Sequence, residues 1–341
     1  MGFRVTDRLH CRCIDVISQR RYSDGTQRVF LRMLPAGRAA SRRWLAPRAR
    51  EALTRHYRGF SAAEGGEAWT DFGRRFTADS GINRLMDDLA DATRPGAPPV
   101  LMMGGGNPAQ IPEVKEALRE TMIKMLHDEP GEQSAPLLHA VSNYDGPPGG
   151  KGLVEAVAEH FSETYGWDIS AENVALTNGS QSSFFYLFNA LAGEDAGVGR
   201  RKVLFPLCPE YLGYAEVGLS DDMFTSVRPS IDIDEEANLY KYSIDFDRLE
   251  AEVDWSEIGV ICVSRPTNPT GNVLTDDEVE RLDVLAQKRG IPLLIDNAYG
   301  TPFPSIIHVP ATPVWNENII LCLSLSKLGL PGEMHNSLIT P

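Results

Sequence analysis

Between Val174 and Leu323 six short apolar runs recur: Val174–Thr177, Val203–Pro206, Phe224–Val227, Gly259–Val263, Leu293–Asp296 and Ile319–Leu323. Several are apolar throughout rather than alternating, which is the pattern of strands covered on both faces. Stretches of helical spacing lie between them, notably Ser182–Leu191 and Asp276–Arg289, the latter led by Thr275 as N-cap. Strands joined by crossover helices predict a mainly parallel sheet with helices on both faces, an α/β architecture whose ligands gather just past the carboxyl ends of strands. With 341 residues, 42% of them hydrophobic, the chain has ample material for such a core. It carries no uninterrupted apolar run of about 18 residues, so a membrane-spanning helix is excluded.

Charge divides the chain unevenly. The total is 33 Lys+Arg against 47 Asp+Glu, a net −14, which argues against a nucleic-acid partner. Residues 1–60, however, hold fourteen Arg, no Lys and only Asp7, Asp15, Asp24 and Glu51 on the acidic side, a surplus of ten positive charges. The segment 1–67 shows no sustained period of 3.6 or 2 and is expected to be a poorly ordered Arg-rich extension. The five cysteines are sparse, and those of the body sit in apolar runs, as reduced thiols in a cytoplasmic protein do. Cys11 and Cys13 have no Cys/His cluster near them, so no metal site is expected.

From Trp69 the composition is that of an ordinary enzyme. Phe72–Leu89 alternates charged and apolar residues at helical spacing, with Asp79 and Ser80 available as caps. Pro95–Pro99 breaks the pattern before Val100–Met103 and the run Gly104-Gly105-Gly106-Asn107-Pro108. Pro112 opens a helix to about His127, with Val114, Leu118, Met122 and Met125 on one face, and Leu153–Tyr165 reads as another.

The polar residues that could carry chemistry stand at strand ends. Thr177-Asn178-Gly179-Ser180-Gln181 joins a strand to a helix, where free backbone N–H groups and the Ser180 hydroxyl suit a phosphate; an Asn-Gly turn with a Ser cap is also an ordinary joint. In Ser264-Arg265-Pro266-Thr267-Asn268-Pro269-Thr270-Gly271, two prolines and a glycine fix Asn268 in a turn, as a tight connector or to aim its amide at a ligand. Asp296 ends an apolar run, so its carboxylate should be stripped of water and in need of a cation, unless it caps the next turn. Lys327 stands between the apolar run that ends in Leu323 and the turn Gly329-Leu330-Pro331-Gly332. An amine withdrawn from water is a nucleophile toward aldehydes, which is how Schiff-base lysines are prepared.

Asn268-Pro269-Thr270-Gly271, Asp296-Asn297-Ala298-Tyr299 and Ser324-Leu325-Ser326-Lys327, in this order, resemble the pyridoxal-phosphate enzymes of aspartate-aminotransferase fold type I, class I/II. Met103–Pro112, Asn143-Tyr144-Asp145-Gly146-Pro147 and Ala175–Ser182 bring the likeness nearest to the valine–pyruvate branch, over roughly Trp69 to Gly332. The resemblance implies pyridoxal 5'-phosphate as cofactor and a transaminase that exchanges amino and keto groups between L-valine and pyruvate. It implies Lys327 as the Schiff-base lysine and proton shuttle, Asp296 as partner of the pyridinium nitrogen, and Tyr299 and Asn268 as donors to the ring oxygen. Tyr211 would stack on the ring; Gly179, Ser180, Gln181, Ser324 and Ser326 would hold the phosphate. Tyr144 would reach the phosphate of a neighbouring subunit, which implies a homodimer, and Gly105 with Asn268 would face the substrate carboxylate. The domains expected are 1–67, an N-terminal arm and small-domain segment at 68–110, and a cofactor-binding large domain at 111–341.

Two departures from the family pattern stand out. No Arg follows Lys327, where Pro331-Gly332-Glu333-Met334-His335-Asn336 occupies the place of the family's phosphate clamp. The family also continues into a small domain that supplies a carboxylate-binding Arg, so the chain is expected to be truncated there, with impaired activity. Alternatives are another fold-type-I reaction, by a different amino donor or β-elimination, a non-catalytic regulator served by the basic extension, or a degenerate fragment.

Overall fold

The computed structural model describes residues 17–21, 27–31, 70–101, 111–127, 136–195, 197, 199–302, 304–328 and 336–340. The chain divides into two compact units, Met1–Thr70 and Asp71–Pro341. In the first, β1 (Ile17–Arg21) pairs antiparallel with β2 (Gln27–Leu31), a pairing that periodicity did not suggest; the rest of the Arg-rich segment lies outside the described residues.

In the second unit, the helices are α1 (Asp71–Phe76), α2 (Gly81–Thr93), α3 (Pro112–Met125), α4 (Pro136–Ser142), α5 (Lys151–Tyr165), α6 (Ser180–Leu191), α7 (Phe246–Glu252) and α8 (Asp276–Arg289). The strands are β3 (Val174–Thr177), β4 (Gly193–Asp195), β5 (Gly199–Phe205), β6 (Phe224–Ser226), β7 (Ser230–Asp234), β8 (Leu239–Ser243), β9 (Ile258–Ser264), β10 (Leu293–Asp296), β11 (Ile319–Cys322) and β12 (Asn336–Ile339). The helical spacing of Phe72–Leu89 is divided between α1 and α2, with Asp79 and Ser80 at the break. Ser80 caps α2 by accepting from the Asn83 N–H.

The main sheet runs β3-β12-β11-β10-β9-β5-β4, with β6 sharing an edge of β5. Its centre is parallel: β11 on β10, β10 on β9, β9 on β5 and β5 on β6. β12 enters antiparallel between β11 and β3, and β4 pairs antiparallel with β5. All six runs anticipated as strands belong to this sheet. The hairpin β7–β8 was not anticipated; it stands apart as its own two-stranded sheet.

Side-chain alternation splits the core in two. Ile261, Val263, Leu293, Ile295, Ile319 and Leu321 pack with Phe161 of α5 and Leu282 and Leu285 of α8 on one face. Val260, Cys262, Leu294, Ile320 and Cys322 pack with Phe184 and Phe188 of α6 on the other. Because the strand period is two, this second face continues into Ser264 and Asp296, directly beyond Cys262 and Leu294. The register sets Ser264, Asp296 and Cys322 side by side on three adjacent strands. A polar row thus ends an apolar face. α8 supports the sheet from behind; Thr275 is its N-cap as expected, and Glu278 completes a capping box with it.

Candidate active site

Asp296 closes β10 and is 7% exposed, with no ion pair among the described residues. Its Oδ2 accepts from the Tyr214 hydroxyl at 2.6 Å and its Oδ1 from the Ala298 N–H at 2.9 Å. Burial pushes this carboxyl up, against the pull of those two donors and of the Lys327 amine. A carboxylate so placed is held chiefly by neutral donors and lacks a cation in contact.

Residues from five segments converge around it. A cavity of about 260 Å³ is bounded by Ser180 and Gln181 at the start of α6, Tyr211 after β5, Ser264 and Asn268 after β9, Asp296 and Tyr299 after β10, and Ser324, Ser326 and Lys327 after β11. Lys327 Nζ lies 5.2 Å from the centre of the Tyr299 ring, and Asn268 Nδ2 is 3.4 Å from the Tyr299 hydroxyl. Ser324 Oγ accepts from the Ser326 N–H at 3.3 Å. Gly179 takes φ 92° at the N-cap of α6, a conformation open to glycine, and so turns the first N–H groups of a twelve-residue helix outward at the strand end.

Tyr211 is held from below. Its ring meets Tyr214 edge to face at 5.3 Å, and Gly213 makes room for it: a Cβ there would come within 2.5 Å of the Tyr211 ring. Gln181 Nε2 donates to the Gly213 carbonyl at 2.8 Å, tying α6 to the same loop. Beside it, Glu210 Oε1 accepts from the Ser264 N–H at 3.0 Å, while its Oε2 lies against Ser264 Oγ. Desolvation pushes Glu210 up to about 8, with nearby Asp296 adding to the rise.

The site residues expected from sequence therefore meet at one cavity, with three exceptions. Gly179 shapes the turn without lining the space. Tyr144 is fully exposed and outside the cavity. Gly105 lies outside the described residues, as does 329–335, where the missing Arg was noted. Sequence reasoning missed Tyr214, Glu210 and Ser264, which are ordinary-looking in the chain and are singled out by their partners. It also missed the apolar wall of the cavity, Ile82, Leu85, Met86 and Leu89 of α2. Their spacing is that of one helix face, but periodicity does not say what a face looks onto.

The donor set fits pyridoxal phosphate. It offers a buried carboxylate short of a cation, a lysine amine beside it, an aromatic ring above it, and hydroxyls with a helix N-terminus for a phosphate. Among the described residues no helix is long and apolar enough to cross a membrane. The family model for aminotransferase class I and II matches residues 101–333. The chain is 54% identical over 263 residues to the valine–pyruvate aminotransferase of Escherichia coli K12, covering 77% of this chain and 60% of that protein. It is similar to the crystal structure of a candidate amino-acid aminotransferase of Psychrobacter arcticum 273-4 (TM-score 0.75, 43% identity, 81% of this chain and 65% of that one). It is likewise similar to a valine–pyruvate aminotransferase of Salmonella typhimurium LT2 (TM-score 0.63, 51% identity, 76% and 60%). The chain thus spans less than two thirds of the length of these relatives. Fold, site and likeness agree: the chain belongs to the class I and II aminotransferases, with their aspartate-aminotransferase-like fold.

Proposed function

We propose that the protein is a pyridoxal-phosphate-dependent transaminase acting on L-valine and pyruvate, to give 3-methyl-2-oxobutanoate and L-alanine. The observation that carries the reading is the convergence of Lys327, Asp296, Tyr299, Asn268 and Tyr211 on one cavity. When bound, pyridoxal phosphate supplies an aldehyde that takes up an amino group and a cationic ring that draws electrons from the substrate Cα. Asp296 would hold the ring nitrogen protonated, and that cation would be the partner its buried carboxylate lacks. Tyr299 and Asn268 would donate to the ring oxygen, and Tyr211 would be the aromatic that stacks on the ring. Ser180, Ser324, Ser326 and the N–H groups opened by Gly179 bind the phosphate, with Gln181 fixing the helix to the Tyr211 loop. Lys327 would be the residue that holds the cofactor through its aldehyde, and its Nζ would carry the substrate Cα proton.

The substrate part of the reading is supported by the cavity's far wall. Ile82, Leu85, Met86 and Leu89 recur at i, i+3, i+4 and i+7 on α2 and present only apolar groups. Such a wall suits a short branched aliphatic side chain and offers an acidic one no partner. Gly105 is assigned to the substrate carboxylate by resemblance. We read 68–110 as an N-terminal arm and small-domain segment, 111–341 as the cofactor-binding domain and 1–67 as an Arg-rich extension. The exposed Tyr144 fits a place at a homodimer contact. The free thiols Cys262 and Cys322 fit a cytoplasmic protein.

The test is to add pyridoxal phosphate to the purified chain, record the visible absorbance of a lysine adduct, and measure alanine formed from valine and pyruvate. A band that disappears in Lys327→Ala supports the reading. An unchanged band in that variant, or none in the original chain, refutes it.

A further inference from the structure

Glu210 has no place in the chemistry above, yet it is among the most constrained polar groups of the site. It follows β5 and reaches the end of β9, bracketing one residue: Oε1 accepts from the Ser264 N–H at 3.0 Å and Oε2 is in contact with Ser264 Oγ. The Tyr211 N–H lies 3.3 Å from the same Oε2. Ser264 lines the cavity beside Asp296, its register partner on β10, whereas Glu210 does not line it.

Two carboxyls withdrawn from water that feel one another's charge are not both ionised without cost. Asp296 is the one a cofactor cation would stabilise. Among the described residues Glu210 has no cation in contact, and desolvation followed by the nearby Asp296 drives it toward the neutral acid, up to about 8. The titratable groups facing it are Cys208 and Tyr211 on its own segment, Tyr214 in the next turn, Cys262 on β9 and Asp296 on β10. Burial pushes both thiols and both phenols up, so they stay neutral while Glu210 titrates.

Resting on the proposed cofactor, we infer that Glu210 is a positioning residue that sets the direction of the Ser264 hydroxyl. As a neutral acid it donates its proton to Ser264 Oγ, leaving the serine O–H free to donate into the cavity. Once Glu210 ionises, Ser264 must donate to it, and the cavity meets a lone pair instead. One proton moves to solvent and no other bond changes. The bracket also fixes Tyr211 at its base, so the same residue couples ring stacking to the polar floor.

The experiment uses the full chain loaded with pyridoxal phosphate, following the visible band and the cofactor dissociation constant across a range that brackets pH 8. The original chain is expected to show an inflection near pH 8. Glu210→Gln keeps both Ser264 contacts, accepting from the Ser264 N–H and donating to Ser264 Oγ, gives up only the long Tyr211 N–H contact, and should retain the low-pH affinity without the inflection. Ser264→Ala should also lose the inflection, and Glu210→Ala should bind roughly tenfold more weakly, as expected for a lost buried hydrogen bond. An inflection that persists in Glu210→Gln, or an affinity that falls there as far as in Glu210→Ala, overturns the inference while the cofactor assignment stands. Absence of any band in the original chain overturns both.

Discussion

The two walls of the cavity are built on opposite principles. The floor, Ser264, Asp296 and Ser324, sits at the ends of central strands; each of these residues is less than a tenth exposed, and each is fixed by hydrogen bonds or register. The roof is one face of α2, whose Leu85 and Met86 are 41% and 54% exposed and which has no buried residue. Its start lies against Leu212, where a Cβ on Gly81 would meet the side chain at 3.7 Å, and the preceding α1 is tied to the same region by Arg75, which donates to the Gly218 carbonyl at 2.6 Å and pairs with Asp221. Chemistry that needs fixed geometry is placed on strands, where close packing forbids drift. Under the proposed function, selection among side chains would fall to the amphipathic helix α2, whose apolar face bounds the cavity.

The largest effect is expected on the floor. Lys327→Ala should reduce transamination by at least ~10³-fold, since both attachment and proton transfer pass through one nitrogen, and kinetics of alanine formation would measure it. Asp296→Asn should divide loaded from unloaded protein. With cofactor, removing one partner of a buried ion pair costs about 3–5 kcal/mol, read as weaker cofactor binding in an absorbance titration. Without cofactor the sign reverses. Burial raises the Asp296 pKa, so the folded chain binds more protons than the unfolded one above the ordinary carboxylate range. Stability of the unloaded chain therefore falls as pH rises through that window, and Asp296→Asn should remove this decline in thermal melts across pH.

The roof gives smaller effects of a different kind. Leu85→Ala should lower kcat/KM for valine about tenfold and for alanine less, because a methyl-sized side chain does not reach the wall. Equal losses for both substrates would show that α2 does not select. Smallest is Ser80→Ala, which removes the N-cap of α2 at about 1 kcal/mol. It should raise KM for valine while leaving the melting temperature nearly unchanged. A lowered melting temperature with KM unchanged would mean that α2 belongs to the rigid core after all.

Much of this was legible before any coordinates. Val174–Thr177 and Leu293–Asp296 have the boundaries expected of them, and α8 spans Asp276–Arg289 behind its Thr275 cap. Each is written locally, by an apolar run or by a cap, so no distant residue is needed to read it. The hairpin β7–β8 was hidden because its residues are largely exposed and lack the apolar runs of the core strands. β12 was hidden because a four-residue insertion between β11 and β3 is decided by its neighbours.

By itself the sequence determined the layered α/β plan and the presence of a lysine, an acid and a tyrosine at strand ends. Both depend on interactions among residues close in the chain. Only the tertiary structure decided that Tyr214 donates to Asp296, 82 residues away, that Glu210 grips Ser264 across 54, and that α2 turns its apolar face to the cavity. Such pairings follow from which strands lie side by side and how helices settle on them. That outcome belongs to the packing of the whole domain and leaves no local mark in the string of residues.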